Sequence, residues 1–194
     1  MQKKYDFTPA QPICQEIDRL LVSSKSPVIV AIDGVCGGGK TTLGEWIAMQ
    51  YDCNLFHMDD FFLRKEQRTA ERYAQPGGNV DYERFQKEVL QSITEGQDCA
   101  YRRLDCRTLT IEEPECIAWK RLNIIEGSYS QHPYFREPYQ LCIFLTLSPD
   151  EQYRRLLNRA PEKIDRFVKE WIPLENLYFD TFSIRDKSIC IEMR

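Results

Sequence analysis

Gly34-Val35-Cys36-Gly37-Gly38-Gly39-Lys40-Thr41 is the stretch on which the fold turns. Its spacing is G-x-x-x-x-G-K-[ST], the phosphate-binding loop known as Walker A. Glycines let successive backbone N–H groups turn inward with no Cβ in the way, which forms an anion-binding nest at a helix N-terminus. The candidate nucleotide contacts are therefore Gly34, Gly37, Gly38, Gly39, Lys40, Thr41 and the adjoining Thr42. A lysine at this position can reach the β- and γ-phosphates, and the following hydroxyl can ligate Mg²⁺. The flanks supply the required context. Residues 27–33 form a continuous apolar run that reads as a buried strand, and 41–51 place Leu43, Trp46, Ile47 and Ala48 at helical spacing. ATP with Mg²⁺ is the expected cofactor.

Outward from the loop, strand-like and helix-like patterns alternate. Residues 13–22 read as an amphipathic helix, 54–58 as a short strand ending at Asp59-Asp60, and 64–80 as a polar loop containing Pro76-Gly77-Gly78. Asp81 is an N-cap candidate for a helix over 81–97, and 101–118 look like a short β-rich excursion. Residues 122–126 and 141–147 are further buried strands, and 189–191 suit a last one. Ser148-Pro149-Asp150-Glu151 starts a helix, and a helical pattern resumes through Ile164, Phe167, Val168, Trp171 and Ile172 until Pro173. Such alternation predicts one α/β domain with a mostly parallel sheet over 1–194, which includes an N-terminal helical extension at 1–25.

Composition narrows the function. The 194 residues carry 26 Lys+Arg against 30 Asp+Glu, a net charge of −4, which argues against a nucleic-acid binder built on a broad basic face. The longest apolar runs are strand-sized, and the first residues lack the apolar stretch of a secretory signal, so a cytoplasmic chain with no membrane partner is expected. Eight cysteines are scattered with no Cys-x-x-Cys pair, and there are only two His. Neither a zinc site nor a disulfide scaffold fits, and reduced, mostly buried thiols are expected. The expected partner is a small-molecule acceptor; a homo-oligomer stays open.

Three further segments carry chemistry. In Phe56-His57-Met58-Asp59-Asp60-Phe61-Phe62, two carboxylates stand at the C-terminal end of a strand, where open α/β sheets bind ligands. A carboxylate there can take a proton from an attacking hydroxyl or hold Mg²⁺ through water; the competing reading is an N-cap or a solvated turn. His57 is expected to pack. In Leu122-Asn123-Ile124-Ile125-Glu126-Gly127, an acid ends an apolar strand, the usual Walker B arrangement. Arg154, Arg155, Arg159, Lys163, Arg166 and Lys169 form a late cationic cluster. Most of it reads as a solvated helix face with partners such as Glu151 for Arg155. Arg159 and Arg166 are the leading candidates to stabilise a transferred phosphoryl group, in a lid over 150–172.

Together with Ser148-Pro149-Asp150 and Trp171-Ile172-Pro173-Leu174-Glu175, these motifs resemble the uridine kinase and phosphoribulokinase family, to which nicotinamide riboside kinases and bacterial pantothenate kinase are related. The resemblance spans about residues 27–192. It implies a three-layer P-loop kinase fold, with a five-stranded parallel sheet flanked by helices and a helical lid, and ATP·Mg²⁺-dependent phosphorylation of a hydroxyl. By that resemblance Asp59 matches the catalytic carboxylate, Glu126 the Mg²⁺-associated acid, Thr41 the Mg²⁺ hydroxyl and Tyr101 a substrate-stacking aromatic. Three family features differ. Ala74-Gln75-Pro76 stands where uridine kinases carry Asp-His-Pro, with Asp81 a few residues on. Asp105-Cys106-Arg107 replaces the base-reading His. Asn158-Arg159-Ala160 and Asp165-Arg166-Phe167 replace the lid's Arg-Gly-Arg. The acceptor pocket is expected from 72–81 and 101–107, with Asp59, Asp60, Asp81, Tyr101 and Arg107 as contacts. A nucleoside is the leading acceptor. The alternatives are nicotinamide riboside, pantothenate or a sugar, and a P-loop NTPase that acts as a switch.

Overall fold

The strands of the computed structural model, which describes residues 10–193, are β1 (Val28–Gly34), β2 (Cys53–His57), β3 (Cys99–Tyr101), β4 (Leu104–Asp105), β5 (Thr110–Ile111), β6 (Glu115–Ile117), β7 (Leu122–Glu126), β8 (Leu141–Thr146) and β9 (Ile189–Glu192). Five of them form one parallel sheet in the order β2-β7-β1-β8-β9. The central strand β1 is buried at every position. Side chains alternate across a pleated strand, so its apolar run needs cover on both faces.

One face receives Val28, Val30 and Ile32, packed against α1 (Gln11–Ser23) through Ile13, Ile17 and Leu20, and against α2 (Lys40–Ala48) through Leu43 and Ile47. Toward the other face point Ile29, Phe56, Ile125 and Phe144. They meet a helix over 82–95, made of α4 (Tyr82–Phe85), a π turn (Gln86–Leu90) and α5 (Gln91–Glu95), and a second helix containing Tyr178 and Phe179. A short helix, α3 (Ala70–Tyr73), lies within the polar 64–80 segment, N-capped by Thr69. The five-stranded parallel sheet between helical layers is the architecture expected from the sequence.

Several expectations change. The late helical pattern does not stop at Pro173. After α6 (Pro149–Arg159), α7 (Ile164–Arg166) runs through a π turn (Phe167–Trp171) into α8 (Ile172–Thr181). Pro173 is the second residue of α8, directly after the π turn, and the helix continues through it. The thiols are all free, but only Cys99 is buried, and Cys106, Cys116 and Cys190 are exposed. Residues 1–9 of the expected N-terminal extension lie outside the described residues. Within the 101–118 excursion, β3 pairs antiparallel with β6, and β4 with β5.

α8 is fastened to the sheet by a polar contact. Asp33, fully buried near the end of β1, accepts from the Gly34 N–H at 2.8 Å, the Tyr178 hydroxyl at 2.9 Å and the Gln131 N–H at 3.3 Å. Burial pushes its carboxyl up to about 6, against the pull of the Lys40 charge. A raised folded value means that folding favours the protonated acid. The stability it adds is complete below the unfolded value of about 3.9 and is lost as pH rises through about 6. In urea unfolding, going from pH 4 to pH 7 should therefore cost the wild type roughly 2 kcal/mol relative to Asp33→Asn. A difference between the two proteins that stays constant over this range would remove the assignment.

Candidate active site

Gly34 ends β1 at φ 137°, where a Cβ would stand 2.2 Å from the Leu145 carbonyl oxygen of the neighbouring strand. Only glycine lets the chain leave the sheet there. The Val35 N–H then donates to that same Leu145 carbonyl at 3.0 Å. Gly39, left-handed at φ 91°, is the N-cap of α2, so the loop feeds its free N–H groups into a helix N-terminus. Lys40 lies across its own loop, its Nζ donating to Gly34 O at 2.7 Å and Val35 O at 3.0 Å. Thr42 sits half-buried in the first turn of α2.

The sheet brings the acidic residues to this loop. β2 and β7 pair in parallel with His57 opposite Glu126, so both stand at the same C-terminal edge. Glu126 is buried. Its Oε1 accepts from Thr41 Oγ1 at 3.1 Å and lies 2.5 Å from His57 Nδ1. That bond to Glu126 is the main reason the His57 imidazole holds its proton to higher pH than usual, against its partial burial. Asp59 follows in a 3-10 turn (Met58–Phe61) and is open to solvent. Desolvation by the surrounding protein raises its carboxyl; Lys40 lowers it, Glu126 raises it and Arg159 lowers it. Lys40, Asp59, Glu126 and Arg159 thus share one electrostatic neighbourhood.

Asp60 is differently placed. Its Oδ2 accepts from the Tyr101 hydroxyl at 2.6 Å, and its backbone carbonyl from Arg84 Nη2 at 2.8 Å. Tyr101, expected to offer a flat face to an acceptor, is instead buried, with its ring against Phe56 and Phe61 at 5.5 and 5.6 Å. Its hydroxyl also accepts from the His57 N–H at 3.3 Å, so it braces the end of β2. Arg107 also departs from expectation: its side chain is 91% exposed, beside Asp105 on the hairpin. Arg166 pairs with Glu170 at 3.3 Å and lies over the Trp171 ring.

Residues that sequence reasoning did not place at the site surround the loop. Glu175 Oε2 accepts from the Cys36 N–H at 2.9 Å, and Gln152 Nε2 donates to the Cys36 carbonyl at 3.0 Å. Arg155, bonded to Glu151 as expected, also reaches the Gly37 carbonyl at 3.5 Å. No sequence signal marks these contacts, because each joins segments more than a hundred residues apart. His57 could have been found from its neighbours only with the β2–β7 register in hand.

Asp81 caps α4 by accepting from the Arg84 N–H at 3.1 Å. Its other oxygen, Oδ2, has no hydrogen-bond partner among the described residues, although Arg84 Nε and Arg64 Nε stand at 3.6 and 3.7 Å. Asp81 also lines a cavity of about 340 Å³ whose wall sets Arg64, Arg84, Lys87 and Arg102 against Glu83 and Glu88. That volume suits a small metabolite.

The Thr41 hydroxyl and the Glu126 and Asp59 carboxylates are hard oxygen donors that fit Mg²⁺. Among the described residues no cluster of three or more His, Cys, Asp or Glu side chains is arranged to hold a metal.

A family model for shikimate kinase matches residues 36–100. A shikimate kinase from Staphylococcus haemolyticus (strain JCSC1435) is 22% identical over 166 residues, covering 84% of this chain and 82% of that one. Among solved structures, a protein from Bacillus stearothermophilus described as a possible uridine kinase aligns with a TM-score of 0.62 at 18% identity, over 93% of this chain and 99% of its own. A protein from Silicibacter sp. TM1040 described as a candidate fructose transport system kinase gives 0.65 at 20%, over 92% and 94%. The common denominator is a P-loop kinase fold; the acceptors named for these proteins differ. Among the described residues no helix is long and apolar enough to cross a membrane.

Lys40→Ala removes the cation whose ammonium lies on the Gly34 and Val35 carbonyls of the loop. Titration calorimetry with ATP·Mg²⁺ should show affinity at least about 10-fold weaker than wild type, since a charge-assisted contact to phosphate is lost. Unchanged affinity would mean that the loop is not the phosphate cradle.

Proposed function

We propose that the protein is an ATP·Mg²⁺-dependent kinase that phosphorylates a hydroxyl of a small polyhydroxylated metabolite. The observation that carries this reading is the convergence of Lys40, Thr41, Glu126 and Asp59 at one edge of the sheet. A hydrolytic switch needs the loop and the metal acid but no acceptor base. Here a second carboxylate, Asp59, stays open to solvent next to them.

In this mechanism the loop amides and Lys40 hold the β- and γ-phosphates, Lys40 leaving its resting place on Gly34 and Val35. Thr41 and Glu126 would hold Mg²⁺, which neutralises charge on the phosphate oxygens when bound. Asp59 orients the acceptor hydroxyl and takes its proton. Protein packed around the carboxyl raises it above an ordinary aspartate, while the residue stays open to water that can carry its proton away. Arg159, at the end of α6, faces this group electrostatically, and the 150–172 segment acts as the lid that brings it over the γ-phosphate.

The resemblance to uridine kinases makes a nucleoside the first acceptor to test. The family-model match and the relative named for shikimate favour a second reading, a hydroxylated carboxylate of that kind.

Asp59→Asn should lower turnover roughly 10²–10⁴-fold with ATP binding retained. Asp60→Asn should cost less, because the Asp60 carboxylate is already taken by Tyr101. The reverse ranking would move the base to Asp60. A panel of uridine, cytidine, nicotinamide riboside, pantothenate, shikimate and sugars, assayed by ADP release, identifies the acceptor. Release of ADP at one rate whatever the acceptor would sink the kinase reading in favour of the switch.

A further inference from the structure

We infer that Glu175 and Gln152 are positioning residues that grip the backbone of Cys36 from two sides and so couple the 160–171 segment to the phosphate-binding loop. The inference rests on the nucleotide reading of the loop and goes beyond it.

A phosphate nest works only if its N–H groups converge inward, which turns the intervening carbonyls outward and leaves them in need of donors. α6 supplies these donors. Gln152 Nε2 reaches the Cys36 carbonyl at 3.0 Å, and Arg155 Nη1 the Gly37 carbonyl at 3.5 Å. The Cys36 N–H is claimed from the opposite direction by Glu175 Oε2 at 2.9 Å. The carboxylate is itself held: its Oε1 accepts from Ser128 Oγ at 2.6 Å, two residues past Glu126. Glu175 is 6% exposed, so little water competes for these bonds, and a bond to a charged acceptor is stronger than a neutral one.

The chain order gives the arrangement its consequence. Gln152 belongs to α6, which ends at Arg159, and Glu175 to α8, which starts at Ile172. The two helices bracket 160–171, and both are bonded to the same residue of the loop. Asp33 secures α8 again one turn further on, through Tyr178. A displacement of either helix must therefore pull on Cys36. Conversely, a phosphate that rigidifies the loop must steady both ends of the bracketed segment. Neither side chain need touch the nucleotide.

Amide exchange read by mass spectrometry tests this directly, on the wild type, Gln152→Ala, Glu175→Ala and Glu175→Gln, each with and without ATP·Mg²⁺, alongside ATP titrations. In the wild type ATP should slow exchange over 160–171. In Glu175→Ala, exchange over 34–40 should quicken about 10-fold without nucleotide, ATP affinity should fall by a similar factor, and the ATP-induced protection of 160–171 should vanish. Gln152→Ala should act in the same direction. Glu175→Gln keeps an oxygen for the Cys36 N–H and should stay within about threefold of wild type, which separates positioning from charge and from misfolding. Glu175→Ala with wild-type protection of 160–171 overturns the coupling. So does Glu175→Gln failing as badly as Glu175→Ala while remaining folded. Should the wild type bind no ATP, the nucleotide reading falls on its own, and unchanged exchange over 34–40 in Glu175→Ala would then dispose of the grip as well.

Discussion

The passage of the chain past the Leu145 carbonyl at Gly34 is the constraint on which the site depends. A side chain there would collide with the backbone of β8, and the strand would have to end earlier or swing out of the sheet. Because it does neither, the loop starts level with the ends of β7 and β8, and α2 begins only six residues later. The distance between the phosphate nest and the acids on β2 and β7 is then fixed by sheet geometry. Thr41 can hydrogen-bond to Glu126 because the first turn of α2 and the end of β7 meet at that edge.

That edge separates two adjacent aspartates by environment. Successive residues in a turn point in different directions, and here Asp60 turns toward the Tyr101 hydroxyl while Asp59 turns toward water and Lys40. The β-rich excursion therefore contributes to the site through its first strand, which supplies the buried hydroxyl that occupies Asp60. Arg84 reinforces this by holding the Asp60 carbonyl with its guanidinium 4.0 Å above the Phe61 ring. A carboxylate left over after such bonding is free to do chemistry.

Much of this was legible in the residues. The glycine spacing and the apolar runs announced a buried strand, a phosphate loop and a helix, and Asp59 and Glu126 could be placed at strand ends from the same runs. Legibility failed where a property depends on which segments meet. Tyr101 looked like an open aromatic because its cover, Phe56 and Phe61, comes from another part of the chain. His57 reads as one more residue of an apolar segment until the β2–β7 register puts it opposite Glu126. Arg155 and Arg166 carry the same charge in the same late cluster, yet one reaches the loop and the other covers Trp171. Pro173 looked like a terminator because its position relative to the preceding π turn has no signature in composition.

The π turns have a consequence for how the chain can vary. An α-helix advances about 100° per residue, and a π turn accommodates one residue more than the regular spiral would. In the 82–95 helix, this extra residue sits between the half that holds Asp81 and Arg84 and the half that buries Val89, Leu90 and Ile93. Deleting one residue from 86–90 would let the turn relax to an ordinary helix with both halves facing as they do, because the wide turn absorbs that residue without changing their relative rotation. Inserting a residue into the ordinary helical turns on either side would instead rotate one half by about 100° against the other, and either the apolar stripe or the capping aspartate would face the wrong way. The π turn thus marks the place where this helix tolerates a change of length.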